Sequence, residues 1–304
     1  MPERHFADAL LEACRRKRSQ VVVGLDPRLD RLPAELREGD AAPGPAERIL
    51  AFNRNVIDAV AESAAAVKCQ IAFYEQLGCA GMAAYAETIR HAKNCDLIVI
   101  ADAKRGDIAS TASAYAAAHL GGHDGGVDDF VADALTVNPY LGSDGVRPFV
   151  NAAVTTGRGL FVLVKTSNPS STELQDLDCG GRPLYEHVAS LVSAWGAPHK
   201  GEGGYSPVGA VVGATFPEEL ARLRALMPHT PLLVPGFGAQ GGGVQDVLPA
   251  FDERGEGAVV NSSRGIIFAW HRAPYAERFG EKGWRDAVRA AAADMRDQLW
   301  QGTH

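Results

Sequence analysis

The residues best suited to chemistry lie in the segment 101–108, ADAKRGDI, at the end of an apolar run. In a β-strand, residues two positions apart share a face, so Asp102 and Lys104 are predicted to point the same way, with Asp107 on the following loop. Nearby carboxylates favour the ammonium form of a lysine. The spacing therefore predicts a lysine held ready to donate a proton.

The elements that must position this segment follow from the pattern of the whole chain. Short apolar runs alternate with Ala/Leu/Glu/Arg-rich segments of helical period, such as 74–93, 183–195 and 217–227. Strands that are apolar throughout are typical of parallel sheets covered on both faces, and eight such units favour a closed (β/α)8 barrel over a doubly wound sheet. The predicted strands are 20–26, 65–70, 96–104, 134–140, 159–167, 207–215, 231–238 and 257–264.

We therefore predict an α/β protein with one TIM-barrel domain over residues 1–304 and no second domain. A further amphipathic helix is predicted near the N-terminus, because Phe6, Leu10 and Cys14 recur at helical spacing. Glycine-rich and polar stretches predict enlarged loops near 121–129, 168–182 and 199–206.

A barrel carries its chemistry at the C-terminal ends of its strands, where most of the runs in this chain end in polar residues. Lys68 ends the second run and would stand beside the third, so Lys68, Asp102, Lys104 and Asp107 form an alternating array of charges. Burying such charges is costly unless each has a partner. A catalytic array and an ion-pair network that merely closes the barrel both fit this spacing. The endings are Asp26, Lys68, Asp102 with Lys104, Asn138, Ser167, Thr215, Pro235 and Arg264.

A second group of residues predicts a phosphate site. The segment 235–242, PGFGAQGG, follows the seventh run, and 261–265, NSSRG, follows the eighth. Barrels often bind phosphate with backbone amides of these two loops, and Arg264 could add a bidentate contact. The same glycines spell the dinucleotide pattern GxGxxG, but too little chain follows to build a dinucleotide-binding domain. A plain glycine turn is the other alternative.

Composition excludes several classes of protein. The formal charge is −7 and no basic face carries interleaved aromatics, so no nucleic-acid surface is expected. The five cysteines are scattered without a CxxC pair, which indicates a reducing compartment and no thiolate metal site. His119, His123 and Asp124 could form a metal site, but the intervening glycines favour a loop. Without a signal-peptide core or a bilayer-length apolar run, we expect a cytoplasmic protein and no membrane partner.

Taken together, the segment 102–108, the segment 235–242 and Arg264 resemble the orotidine 5′-phosphate decarboxylase family in its longer bacterial form. The resemblance covers all the predicted strands. It implies a (β/α)8 barrel that works as a homodimer and converts orotidine 5′-phosphate to UMP and CO2, the last step of de novo pyrimidine nucleotide synthesis, with no cofactor and no metal.

The resemblance also implies roles for individual residues. Lys104 would protonate C6 of the product, Asp102 would lie beside the scissile carboxylate, and Lys68 and Asp107 would complete the array. Asp107, Ile108 and Thr111 would reach the partner's site. Lys165 and Ser167 are alternatives for the pyrimidine contact, since they lie two positions apart. The other implied contacts are Asp26 and Lys68 to the ribose hydroxyls, Pro235 and Gly236 to the base pocket, and Gln240 and Arg264 to the phosphate.

Two rival functions share parts of this pattern. Magnesium-dependent sugar-phosphate barrels also show Asp-x-Lys-x-x-Asp, but they place a carboxylate where this chain has Lys68, whose ammonium would occupy the cation's place. A non-catalytic nucleotide sensor would keep Gln240 and Arg264 but has no use for converging charges. The intact charged array favours the decarboxylase.

Overall fold

The computed structural model describes residues 5–37, 44–122, 128–214, 217–237 and 243–304. Eight parallel strands close into a barrel in sequence order, with β8 pairing back to β1. The predicted barrel is confirmed, and each strand lies within a predicted run except β3, which extends one residue further, to Arg105. The strands are β1 Val21–Leu25, β2 Ala66–Gln70, β3 Ile98–Arg105, β4 Ala134–Val137, β5 Gly159–Lys165, β6 Val208–Val212, β7 Leu232–Pro235 and β8 Ala258–Ser262.

Helices follow the strands and cover the outside of the barrel. The helix predicted at 74–93 is in fact two, and the second begins at Gly78, which adopts a left-handed conformation with φ of +62°. The helices are α1 Phe6–Lys17, α2 Ala34–Arg37, α3 Pro45–Val60, α4 Ala72–Glu75, α5 Gly78–Asn94, α6 Ala109–Leu120, α7 Ser143–Thr156, α8 Leu184–Gly196, α9 Pro217–Leu226, α10 Val244–Val247, α11 Arg264–Ile267, α12 Tyr275–Phe279 and α13 Trp284–Thr303.

Apolar side chains fill both the interior of the barrel and the layer between strands and helices. Val22, Ile100 and Phe161 belong to the inner group, which α1 extends at the end of the barrel where the strands begin. Phe6 of α1 packs edge-on against Phe161, with ring centroids 5.8 Å apart. Gly159 permits this contact, because a Cβ there would lie 2.1 Å from the Phe6 ring. The lower end of the barrel is therefore closed by packing, and the upper end stays open.

The long connections have definite structure in the described ranges. The stretch predicted as a loop at 168–182 contains a short 3₁₀ helix, Pro169–Glu173, and the one at 199–206 folds under α1, where Asp8 accepts the backbone N–H groups of Glu202 and Gly203. Residues 123–127 of the first predicted loop lie outside the described ranges. No helix among the described residues is long and apolar enough to cross a membrane.

Candidate active site

A cleft of about 570 Å³ opens at the C-terminal ends of the strands, and each strand or the loop after it contributes to its wall. A larger cleft, of about 1070 Å³, lies at the opposite end beside α1. We place the chemistry in the smaller one, because barrel enzymes work at the C-terminal face and the predicted charges converge there. Its charged residues are Asp26, Lys68, Asp102, Lys104 and Arg264.

The Asp102 carboxylate lies between two ammonium groups. Lys68 Nζ is 2.6 Å from Oδ2, and Lys104 Nζ is 2.5 Å from Oδ1. Gln70 donates to Oδ2 at 3.0 Å and the Thr136 hydroxyl donates to Oδ1 at 3.1 Å. Strands β2, β3 and β4 thus supply these four contacts to the carboxylate, which fix its position on three sides.

The Lys104 side chain reaches the cleft through an irregularity in β3. Its backbone is left-handed, with φ of +47°, and the pairing of β3 with β4 shifts register between Ala101 and Arg105. The Lys104 N–H donates to the Thr136 hydroxyl at 2.9 Å, which secures this conformation. A non-glycine residue at positive φ is uncommon and is typically retained at functional sites. Asp102 and Lys104 do converge, as predicted.

Burial and charge together determine the ionisation of this group. Burial favours the neutral acid, yet the ammonium groups of Lys68 and Lys104 hold the pKa of the Asp102 carboxyl well below its usual range. Burial likewise opposes the charged form of Lys68, but the carboxylates of Asp102 and Asp26 raise its pKa. The cleft therefore presents a permanent carboxylate flanked by cations at neutral pH.

The two lysines differ in their access to the cleft. The Lys68 side chain is 8% exposed, whereas that of Lys104 is 45% exposed. Lys68 also faces Asp26, whose Oδ1 lies 4.0 Å from its Nζ. That distance is too long for a hydrogen bond, so the ammonium of Lys68 belongs mainly to Asp102 and that of Lys104 is open to a ligand.

Polar acceptors without partners lie near the end of β1. Asp26 Oδ1 and Asn261 Oδ1 are buried and have no hydrogen-bond donor among the described residues. Gly24 is adjacent, and a Cβ there would lie 1.9 Å from the Ser263 hydroxyl oxygen. Because buried acceptors without partners are costly, these atoms are suited to receive hydroxyl donors from a ligand.

The loops after β7 and β8 form the opposite wall. Pro235 ends β7, and Gly236 has φ of +103°, a conformation that a side chain would strain. The Arg264 side chain is exposed and forms no hydrogen bond or ion pair with another described residue. Gln240 lies outside the described ranges. Arg264, the cation predicted to contact the phosphate, therefore lines the cleft and has no ionic partner within those ranges.

The structure separates the two candidates for the base contact. Ser167 lines the cleft, whereas Lys165 pairs with Asp176 and Glu219 outside it and lies over the Tyr185 ring. The cause is a second register shift, between Leu163 and Lys165 in β5, which breaks the alternation of faces. The Lys165–Asp176 pair instead fastens the 168–182 connection to the barrel.

Asp107, Ile108 and Thr111 do not line the cleft of their own chain. Asp107 accepts the N–H of Ile108 at 2.8 Å and forms no ion pair within the described part of the chain. Ile108 is 52% exposed, and Thr111 is exposed on the first turns of α6. The array of four charges predicted from the sequence is thus an array of Lys68, Asp102 and Lys104 with Asp26, and the half-buried Asp107 lies outside the cleft.

Several residues of the cleft were not predicted. Gln70, Thr136 and Asn261 contact the charged group or line the wall beside it, and Gln175 closes the cleft from the 168–182 connection, where it accepts the N–H of Thr166. The position of Gln70, two residues after Lys68 on the same strand face, is a signal that could have revealed it. The position of Gln175 is not readable from strand periodicity.

Of the three residues considered above as a histidine metal site, the described ranges contain His119. His119 is buried on α6, and burial lowers its pKa to about 4. His123 and Asp124 lie outside the described ranges.

Comparison with known proteins identifies the family. Residues 19–279 match the family model "Orotidine 5′-phosphate decarboxylase / HUMPS family". The chain belongs to this family. An orotidine 5′-phosphate decarboxylase of Rhodopirellula baltica is 50% identical over 297 residues, which is 97% of this chain and 98% of that protein. The Caldicellulosiruptor saccharolyticus enzyme of the same name is 42% identical and covers 88% of this chain and 90% of its own length.

The fold agrees with a solved structure of the family. The structure of Leishmania donovani OMP decarboxylase is 34% identical, superposes with a TM-score of 0.76 and covers 98% of each chain. These relatives match over nearly their full lengths and carry the same enzyme name. Membership in the carboxy-lyase branch of the family follows, and the resemblance noted from the sequence is confirmed.

Proposed function

We propose that the chain decarboxylates orotidine 5′-phosphate to UMP and CO2 without a metal or cofactor, with Lys104 as the proton donor to C6. The observation that carries this proposal is the Asp102 carboxylate held between the ammonium groups of Lys68 and Lys104 at the mouth of the barrel. The reaction would be the last step of de novo pyrimidine nucleotide synthesis.

The chemistry needs a fixed cation beside the reacting carbon. When the bond to CO2 breaks, its electron pair stays on C6, which has no adjacent electron sink. The Lys104 ammonium would stabilise this carbanion and then transfer a proton to it, after which the lysine regains a proton from solvent. Asp102 would repel the substrate's carboxylate, and this repulsion is relieved as neutral CO2 departs.

The remaining cleft residues fit the other parts of the substrate. Asp26, with its unpartnered oxygen, and Lys68 suit the ribose hydroxyls, Ser167 suits the polar edge of the pyrimidine, and Pro235 with Gly236 would form the base pocket. Arg264, unpaired within the described ranges, suits the phosphate, since a guanidinium can bind it with two parallel hydrogen bonds. We propose Gln240 as a second phosphate ligand from the family resemblance alone.

A metal-free mechanism is supported by Lys68 of β2. A magnesium-dependent relative would need a carboxylate there, but the Lys68 ammonium lies 2.6 Å from the Asp102 carboxylate and neutralises it. A divalent cation beside this ammonium would be repelled. An assay with EDTA present, in which decarboxylation is monitored as the loss of orotidylate absorbance, tests this point. A requirement for added Mg²⁺ would reject the metal-free mechanism.

We further propose a homodimer in which Asp107, Ile108 and Thr111 reach the partner's cleft. Support comes from the position of Asp107 outside the cleft of its own chain and from large exposed apolar side chains on the same loops, including Ile108 and Tyr140, the latter 76% exposed. Tyr115 and Leu141 extend this surface along α6 and the start of α7. Such an apolar surface is typical of a subunit interface.

Subunit exchange tests the shared site. Mixed Lys104→Ala and Asp107→Ala homodimers, each inactive, should regain activity after exchange, because one cleft of each heterodimer then contains neither substitution. If Asp107 serves its own chain, every cleft carries one substitution and the mixture stays inactive. Persistent inactivity after exchange has been demonstrated would reject the shared site and leave the Lys104 chemistry untouched.

Replacement of Lys104 tests the central proposal. Lys104→Ala should reduce kcat by at least about 10²- to 10⁴-fold, the usual contribution of a general acid. Binding of UMP should persist, because its proposed phosphate and ribose contacts lie elsewhere. A variant with near-normal turnover would show that Lys104 is not the proton donor.

We also propose that the chain acts as one catalytic domain in the cytoplasm. All five cysteines are free thiols, which suits a reducing compartment.

A further inference from the structure

A group of potential metal ligands lies on the outside of the barrel, between α3 and α5. Asp58 of α3 faces His91, near the end of α5, and Cys95, the residue that caps this helix. His91 Nε2 lies 2.7 Å from Asp58 Oδ1, and Cys95 Sγ lies 3.7 Å from the same oxygen and 3.9 Å from His91 Nε2. An imidazole, a thiol and a carboxylate thus converge within 4.8 Å of one another.

These separations are close to those of a tetrahedral zinc site. Typical bond lengths from Zn²⁺ to sulfur, nitrogen and oxygen place sulfur roughly 3.6 Å from either of the other ligands, and nitrogen roughly 3.4 Å from oxygen. The two sulfur separations, 3.7 and 3.9 Å, agree with this geometry. The 2.7 Å contact between His91 and Asp58 would have to widen by about 0.7 Å, which a rotation of the exposed Asp58 side chain supplies.

The positions of these residues on the helices favour a preformed site. His91 and Cys95 are four positions apart, so they lie on one face of α5 and its cap. Both side chains are partly buried, whereas Asp58 is exposed. In the described part of the chain, no lysine or arginine forms an ion pair with Asp58. The nearby Lys17 ammonium is already bound to the carbonyl oxygens of Ala61 and Asp96, each at 2.8 Å.

We propose that Asp58, His91 and Cys95 bind a thiophilic divalent transition-metal ion of the Zn²⁺ class, with a solvent molecule as the fourth ligand. Binding would displace the thiol proton to solvent, so that thiolate and carboxylate together balance the charge of the cation. The ion would join α3 to α5, the helices before and after β2. None of the three residues lines the cleft, so this site is independent of the proposed catalysis.

Cobalt is a suitable probe, because a thiolate bound to Co²⁺ gives a charge-transfer absorption in the near ultraviolet. EDTA-treated full-length protein should develop this band with Co²⁺ at one equivalent per chain, and Zn²⁺ should displace it. Cys95→Ser should abolish the band. His91→Ala should weaken Zn²⁺ binding by more than the roughly 10- to 100-fold that loss of an outer partner of a zinc ligand costs.

Cys79→Ser is the matched control, because Cys79 is an exposed thiol at the other end of the same helix and should leave the band unchanged. Zn²⁺ should also raise the Tm of the parent protein and of Cys79→Ser, but not that of Cys95→Ser. A band that persists in Cys95→Ser, or no band and no Tm shift in the parent protein, would overturn the proposal. Decarboxylase activity of Cys95→Ser should equal that of the parent, so failure of this site is distinguishable from failure of the catalytic assignment.

Discussion

The two lysines that contact Asp102 should differ in their importance for stability. Both ammonium groups lie within 2.6 Å of the carboxylate, but the Lys68 side chain is 8% exposed and that of Lys104 is 45% exposed. An ion pair that solvent screens contributes about 0–1 kcal/mol, whereas breaking a buried one costs about 3–5 kcal/mol. We therefore expect Lys104→Met to change the free energy of unfolding by less than about 1 kcal/mol.

Lys68→Met should cost about 3 kcal/mol, at the lower end of the range for buried pairs. The reason is that Asp102 keeps its contacts with Lys104, Gln70 and Thr136 after the Lys68 ammonium is removed. With a urea m-value of roughly 3 kcal/mol/M, this loss lowers the midpoint by about 1 M.

Tryptophan fluorescence measures both variants, since Trp270 and Trp284 are buried. Lys282→Met, at an exposed position, is the control, and all proteins are compared at one protomer concentration because the stability of the proposed dimer would depend on it. The reasoning is refuted if Lys104→Met destabilises as much as Lys68→Met, or if Lys68→Met stays within about 1 kcal/mol of the parent.

Three further predictions concern the rest of the cleft. If Arg264 binds the phosphate as proposed, Arg264→Ala should raise KM strongly and also lower kcat, because binding energy from the phosphate then no longer stabilises the transition state; an unchanged kcat/KM in steady-state assays would place the phosphate elsewhere. Because the pKa of Asp102 is depressed in the folded protein, its carboxylate stabilises the fold fully above the ordinary carboxyl pKa of about 4 and progressively less as the pH falls below that value. The urea midpoints of the parent protein and of Asp102→Asn should therefore converge as the pH is lowered, and a constant difference between the two midpoints would contradict this. Lys165→Met should raise KM and speed proteolysis at 168–182, because the ion pair with Asp176 is lost, while decarboxylation persists. Loss of decarboxylation without faster proteolysis of this connection would contradict the prediction.

Much of the fold was predictable from the sequence, because strand burial and helical period are local signals. Seven of the eight strands lie within a predicted apolar run and β3 extends one residue past its run, since strands buried on both faces must be apolar throughout. The break between α4 and α5 was missed, because the helical spacing of apolar residues continues across it, while Leu77 and Gly78 leave the helical conformation, Gly78 with a left-handed φ of +62°. The spacing of apolar residues along a helix does not show where the backbone leaves the helical conformation.

The positions of the site residues were predictable where strand pairing is regular and less so where its register shifts. Alternation correctly brought Asp102 and Lys104 together, although Lys104 reaches this position through a left-handed backbone and a register shift that alternation does not contain. The same kind of shift in β5 turns Lys165 away from Ser167. Register shifts arise from pairing between strands, which residue types along one strand do not specify.

The charge of the cleft supports the proposal that Asp102 acts in the reaction rather than in binding. The whole chain carries a formal charge of −7, yet the cleft is lined by three cationic and two acidic side chains, so its local charge favours an anion. A carboxylate at its centre weakens that attraction, and a buried network of ions gives little stability over an apolar replacement. Asp102 therefore lowers affinity for any anionic ligand that places a carboxylate beside it. The presence of Asp102 is best explained if its repulsion of a ligand carboxylate disappears during turnover. This happens when the substrate carboxylate leaves as CO2, and the adjacent Lys104 ammonium then faces the carbanion that remains.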